Sequence, residues 1–225
     1  GGQAAARAVA RSPEPFRRLG WQSRSRISGS PELPAVIASA GRLTTAVAAL
    51  APAALPATRT QLVLDAINEA YPQFIDGVDV LNTSLNNMGA IFHPALTLLN
   101  AGWIEATHGD YQFYIDGVTP SVARVLEVLD RERVTVASAL GIRARTAIEW
   151  LKMAYDASGN DLHEAIHNQP GYYGIKAPPT LNHRYIFEDV PMSLVPIASL
   201  GERFGVSVRG MESMIQVASI IHRTD

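Results

Sequence analysis

Leu81, Leu85, Met88, Phe92, Ala95 and Leu99 fall at alternating spacings of four and three, the repeat that lines one face of a helix over five turns. A chain carrying such a stripe must cover it with other apolar faces, so the stripe predicts a core-facing helix in a helical assembly. His93-Pro94 interrupts it. Pro94 has no N–H to offer the carbonyl of Ala90, and proline in a helix interior costs about 3 kcal/mol. A cost of that size marks either a kink that fits the packing, with His93 a satisfied core residue, or a functional position at which His93 is presented.

The sequence after residue 60 continues in the same period. Thr58 is expected to cap a helix carrying Leu62, Ala66, Ile67 and Ala70 that stops at Pro72. Thr119-Pro120 reads as cap and first residue of a helix over 120–140. Its inward positions are Val122, Val125, Leu126, Leu129, Val136 and Leu140, Gly141 is its stop, and Glu127 and Arg131 pair on its solvated side. Further helices are expected over 144–157, 161–168, 192–204 and 209–223. Residues 61–225 are therefore expected to form an all-helical domain, an antiparallel bundle with short loops.

Residues 1–60 have another composition. They hold eight arginines against Glu14 and Glu32, a balance of +6, whereas residues 61–225 hold 11 basic and 19 acidic side chains, a balance of −8. Residues 22–28 and 33–50 read as short β segments, so 1–60 is expected to be a separate piece of α/β character. These arginines lack interleaved aromatics and a helical stripe, which argues against a nucleic-acid partner. The longest apolar run, 46–57, contains Pro52 and Pro56 and falls short of the roughly 20 residues of a membrane span, so no membrane partner is expected and the protein is placed in the cytoplasm. The chain has no cysteine, which excludes disulfides, thiolate nucleophiles and Cys-ligated metals. It also contains neither G-x-G-x-x-G nor G-x-x-x-x-G-K-[ST], the glycine patterns that cradle phosphates.

Two further clusters carry chemistry. His163-Glu164-Ala165-Ile166-His167 is an H-E-x-x-H, which on a helix would pair two imidazoles and a carboxylate as zinc hydrolases require. Its helix, between Asp161 and Pro170, is barely two turns long, so it reads as a surface element and no metal ligand is assigned. In Arg184-Tyr-Ile-Phe-Glu188-Asp189-Val-Pro191, Arg184 and Glu188 form a surface pair, or the guanidinium is free to grip a carboxylate while Asp189 faces a histidine.

Taken together, Leu85-Asn-Asn-Met-Gly-Ala-Ile-Phe-His93-Pro94, Leu99-Asn-Ala-Gly-Trp-Ile-Glu105, Phe113-Tyr-Ile-Asp-Gly-Val-Thr-Pro-Ser-Val122, Asp130-Arg-Glu-Arg133 and Arg184–Pro191 resemble the helical domain of the octopine/nopaline (opine) dehydrogenases. Ser25-Arg-Ile-Ser-Gly29 and the opening Gly-Gly resemble the end of that family's nucleotide-binding domain. The resemblance implies a mainly α fold: the tail of a Rossmann-type dinucleotide domain over 1–60, then a helical substrate and catalytic domain over 61–225. It implies that NAD or NADP is bound mainly by a domain upstream of residue 1. It also implies that His93 is the acid/base group, that Asp189 pairs with it and fixes its tautomer, and that Arg184 contacts a substrate carboxylate. Asn87 matches an asparagine of the pattern and is assigned to substrate binding, whereas Gly89 stands where many members have asparagine. The implied reaction joins an amino acid to a 2-oxo acid and reduces the imine. A helical binding or dimerisation module without catalysis is the rival from another class, a zinc hydrolase the third, and a homodimer is left open.

Overall fold

The structure, a computed structural model, describes residues 51–224. Among them there is no strand, only an isolated antiparallel bridge between Gln112 and Lys176. The expected β segments of residues 1–60, and with them the Rossmann-type tail, fall almost wholly outside the described residues.

A 3₁₀ turn over Ala57–Arg59 leads into α1 (Thr60–Asn68), so Thr58 is not the cap. Thr60 instead accepts a hydrogen bond from the Ala54 amide, and Leu64 turns inward while Leu62 is exposed. The five-turn stripe divides into α2 (Val80–Leu85), capped by Asp79, and α3 (Gly89–Leu99), separated by a turn at Asn86–Met88. Leu85, Met88, Phe92 and Ala95 are buried as expected, but Leu99 is exposed. The one-face reading fails because α3 is enclosed: Ala90, Ile91, Phe92, Pro94, Ala95, Leu96, Thr97 and Leu98 are all buried, and a helix wrapped on every side has no stripe to reveal it. The helix runs through Pro94, and the Thr97 hydroxyl donates to the His93 carbonyl at 2.7 Å.

After α4 (Ala101–Thr107) and the segment 108–119 comes α5 (Pro120–Ala139), with Thr119 as its cap. Its end follows the expected chemistry: Gly141 takes φ 75°, the Ile142 amide donates to Ala137 and the Gly141 amide to Ser138, a Schellman closure. Leu126, Leu129 and Val136 are buried; Val122, Val125 and Leu140 pack at the core's margin. Glu127 does not reach for Arg131. It accepts from the Leu162 amide at 3.0 Å, because an unsatisfied N–H at a helix start is a better partner than an exposed guanidinium.

The remaining helices are α6 (Ala147–Tyr155), opened by a Thr146–Glu149 capping box, α7 (Leu162–His167), the single-turn α8 (Arg184–Phe187), α9 (Val195–Arg203) and α10 (Arg209–His222). A π-helical turn, Val190–Leu194, joins α8 to α9. Helices α3 and α5 pack on each other, α8, the π turn and α10 pack on α3, and α7, α9 and α10 pack on α5. Burying each Leu, Ile or Phe of this interface contributes roughly 1.5–3 kcal/mol. The result is that a segment far along the chain, α8 with its π turn, lies against the middle of α3, where His93 stands. No helix among the described residues is long and apolar enough to cross a membrane.

Candidate active site

His93 and Asp189, 96 residues apart in sequence, meet at 2.9 Å between Nδ1 and Oδ2, with side chains 26% and 17% exposed. An ionised carboxylate only accepts, so the Nδ1 of His93 carries the proton of this contact. Nε2 lies 3.1 Å from the hydroxyl of Tyr114. A neutral ring with its hydrogen on Nδ1 has a lone pair at Nε2, and the Tyr114 O–H donates to it. Tyr185 of α8 stacks on the imidazole at 4.1 Å and 17°. Asp189 sits where α8 gives way to the π turn, an irregularity that recurs at functional sites.

Tyr114 is held from several sides. Its segment is tied by the Phe113 amide to the Ile175 carbonyl at 2.8 Å, by the buried Asn100 amide to the Gly117 carbonyl at 3.1 Å, and by His167 Nε2 to the Ile115 carbonyl at 2.9 Å. Its ring stacks on Tyr172 at 4.2 Å and meets Phe113 edge-on. Burial, with Tyr185, Tyr155 and Asp189 nearby, pushes its hydroxyl far above the ordinary phenol range. His183 contacts Tyr185 edge-on, and its Nδ1 accepts from the Tyr185 amide at 3.4 Å. Burial, then Arg184 and His93, lower the His183 pKa from its ordinary value.

Arg184 is not free. It pairs with Glu188 at 2.9 Å, at 68% and 53% side-chain exposure, because one turn of α8 sets residues 184 and 188 over each other. Asn87 is exposed and accepts from the Gly89 amide at 3.0 Å. A Cβ on Gly89 would lie 3.2 Å from Asn87 Oδ1 and 3.2 Å from both Cε1 and Nδ1 of His93, so residues 87, 89 and 93 share one patch.

The H-E-x-x-H helix is not the surface element that its length suggested. His167 places Nδ1 2.8 Å from the His163 carbonyl of its own helix and Nε2 2.9 Å from the Ile115 carbonyl, so the ring faces carbonyls on both sides and its Nε2 side ties α7 to the Tyr114 segment. Among the described residues no group of three or more His, Cys, Asp or Glu could hold a metal ion. Sequence reasoning missed Tyr114, Tyr185 and His183 as members of the site. The Phe113–Val122 motif carried the one signal available for Tyr114, since no spacing rule links a loop tyrosine to a helical histidine.

The described residues offer a carboxylate, an imidazole and a phenol in line, a donor set for moving a proton. They offer no strand–turn–helix cradle for a dinucleotide's phosphates.

Residues 77–222 match the family model of the NAD/NADP octopine/nopaline dehydrogenase alpha-helical domain. An opine dehydrogenase of Arthrobacter sp. (strain 1C) is 38% identical over 173 residues, which are 77% of this chain and 48% of that protein. The chain thus spans about half the length of that relative. Octopine dehydrogenase solved with NADH and L-arginine superposes with a TM-score of 0.60 at 20% identity, over 71% of this chain and 45% of that one. The same enzyme solved with NADH and pyruvate gives 0.53 at 19% identity, over 70% and 43%. With its helical architecture and the match over 77–222, the chain belongs to the octopine/nopaline dehydrogenase family and carries that family's alpha-helical domain.

Proposed function

We propose that this chain supplies the substrate and proton-handling half of an NAD- or NADP-dependent opine dehydrogenase, which condenses an amino acid with a 2-oxo acid and reduces the product to a secondary amine. The observation that carries the reading is the 2.9 Å contact of His93 with Asp189 beside the 3.1 Å contact with Tyr114. Support for the substrate class comes from the octopine dehydrogenases solved with L-arginine and pyruvate. Bound nicotinamide supplies the hydride. Asp189 holds the tautomer of His93, and His93 takes a proton from the incoming ammonium and returns one during loss of water. Arg184 exchanges Glu188 for a substrate carboxylate, an exchange that costs little because exposed pairs of this kind contribute at most about 1 kcal/mol. Asn87, at the Gly89–His93 patch, offers its side-chain amide to the same substrate.

The test is His93→Ala in the whole protein, assayed with amino acid, 2-oxo acid and NADH or NADPH. Turnover is expected to fall by about 10²–10⁴, the range for a positioned acid/base group. Unchanged turnover with an unchanged pH profile would return His93 to a core residue beside a proline.

A further inference from the structure

Neither nitrogen of His93 is open. Asp189 occupies Nδ1 and the Tyr114 hydroxyl occupies Nε2, while Tyr185 covers one ring face. A proton that enters or leaves at Nε2 must pass the Tyr114 oxygen or push Tyr114 aside. The second course is closed by the surroundings. Tyr114 is 7% exposed, stacked on Tyr172, and its segment is tied at Phe113, Ile115 and Gly117 to three other parts of the chain. A phenol has one hydrogen and two lone pairs, so it can accept on one side while donating on the other.

We propose that Tyr114 is a proton relay between His93 Nε2 and the reacting nitrogen or oxygen of the bound substrate. This rests on the acid/base reading of His93 given above. Taking a proton from substrate, the substrate N–H bond breaks and a new Tyr114 O–H bond forms while the original O–H hydrogen moves to Nε2. The return step runs in reverse. Tyr114 begins and ends as a neutral phenol, and substrate and imidazole exchange one proton with no electrons moved. Burial and the nearby Asp189 disfavour a tyrosinate, so the two transfers are coupled and the residue does not act as a base by itself.

The contact itself is read in the 225-residue chain without cofactor or substrate. The Tyr114 hydroxyl proton is expected as a downfield, slowly exchanging NMR resonance with a nuclear Overhauser effect to the His93 ring, absent in Tyr114→Phe and in His93→Ala. A Tyr114 hydroxyl that exchanges like a free phenol overturns the proposal without need of any variant. Transfer is read in the whole protein by single-turnover reduction in H₂O–D₂O mixtures, which keeps product release out of the measured rate. The wild type is expected to give a bowed proton inventory, two protons in flight. Tyr114→Phe should slow the step about 10²-fold with Michaelis constants for both substrates nearly unchanged. If Tyr114→Phe keeps the rate and the bowed inventory while His93→Ala loses activity, the relay is wrong and the acid/base reading stands. If His93→Ala keeps its activity, that reading falls and takes the relay with it.

Discussion

Asp130 and Arg133, one turn apart on α5, meet at 2.6 Å in the interior, and the guanidinium has no exposure to water. The pair is a junction. The other oxygen of Asp130 accepts from the Ala147 amide at 2.8 Å, the start of α6, and Arg133 donates to the carbonyls of Leu85, where α2 ends, and Arg145. Leu85 leads directly into the turn that launches α3 and His93.

Arg133→Ala should therefore cost about 3–5 kcal/mol, since it strands a buried carboxylate and leaves two carbonyls without a donor. Urea unfolding of the 225-residue chain measures it. A loss below 1 kcal/mol would mean that water reaches Asp130.

Arg184→Ala should behave in the opposite way. Its pair with Glu188 is exposed, so stability should change by no more than about 1 kcal/mol. In the whole protein the Michaelis constant for a carboxylate substrate should rise about tenfold or more, because a two-point charge-assisted contact is lost. An unchanged Michaelis constant would leave Arg184 as a surface residue.

Gly89→Ala places a methyl group 3.2 Å from the His93 ring and from Asn87 Oδ1, closer than ordinary packing. Helix propensity favours alanine by about 1 kcal/mol, so the fold should tolerate the change. The His93 ring must shift by a few tenths of an ångström. The expected signature is a moved His93 Cε1–H resonance and reduced turnover, with an unfolding midpoint at or above the wild-type value. Unmoved His93 resonances would show that the ring has room to spare.

His183 and His222 both have pKa values lowered in the fold, His183 by burial and then Arg184 and His93, His222 by burial. The unfolded chain then binds protons more readily than the native one as pH falls below about 6.5, so stability falls with it, and above pH 7 the effect vanishes. Among the described residues the buried Nε2 of His222 has no hydrogen-bond partner. Between pH 7.5 and 5.5 the urea midpoint should decline, and His222→Gln should flatten that decline. Equal slopes for variant and wild type would assign the acid sensitivity elsewhere.

What could be read from residue order was whatever rests on neighbours in sequence. Helix α5 was legible because Thr119-Pro120 and Gly141 are local chemistry, satisfied within a few residues of themselves. The split between α2 and α3 was not, because Leu85 and Met88 keep the spacing of a helix while the Asn86–Met88 turn breaks it. The meeting of His93 with Asp189 followed from family likeness and not from periodicity. The Tyr114 and Tyr185 contacts depend on α3 packing against α8 and the 108–119 segment, and Arg184 chose the pairing that its own turn of helix dictates.

The separation of His93 from its two partners along the chain gives the two contacts different entropic costs of closure. Tyr114 lies 21 residues away and Asp189 lies 96. Closing these two loops scales to about 2.7 and 4 kcal/mol of chain entropy, so the tyrosine contact is about 1.3 kcal/mol easier to form before the rest of the structure pays that entropy. On chain entropy alone, His93 is expected to meet its phenol before its carboxylate during folding. The carboxylate must wait for α8 to pack on α3, so the line of carboxylate, imidazole and phenol is completed only by a contact that spans much of the helical domain.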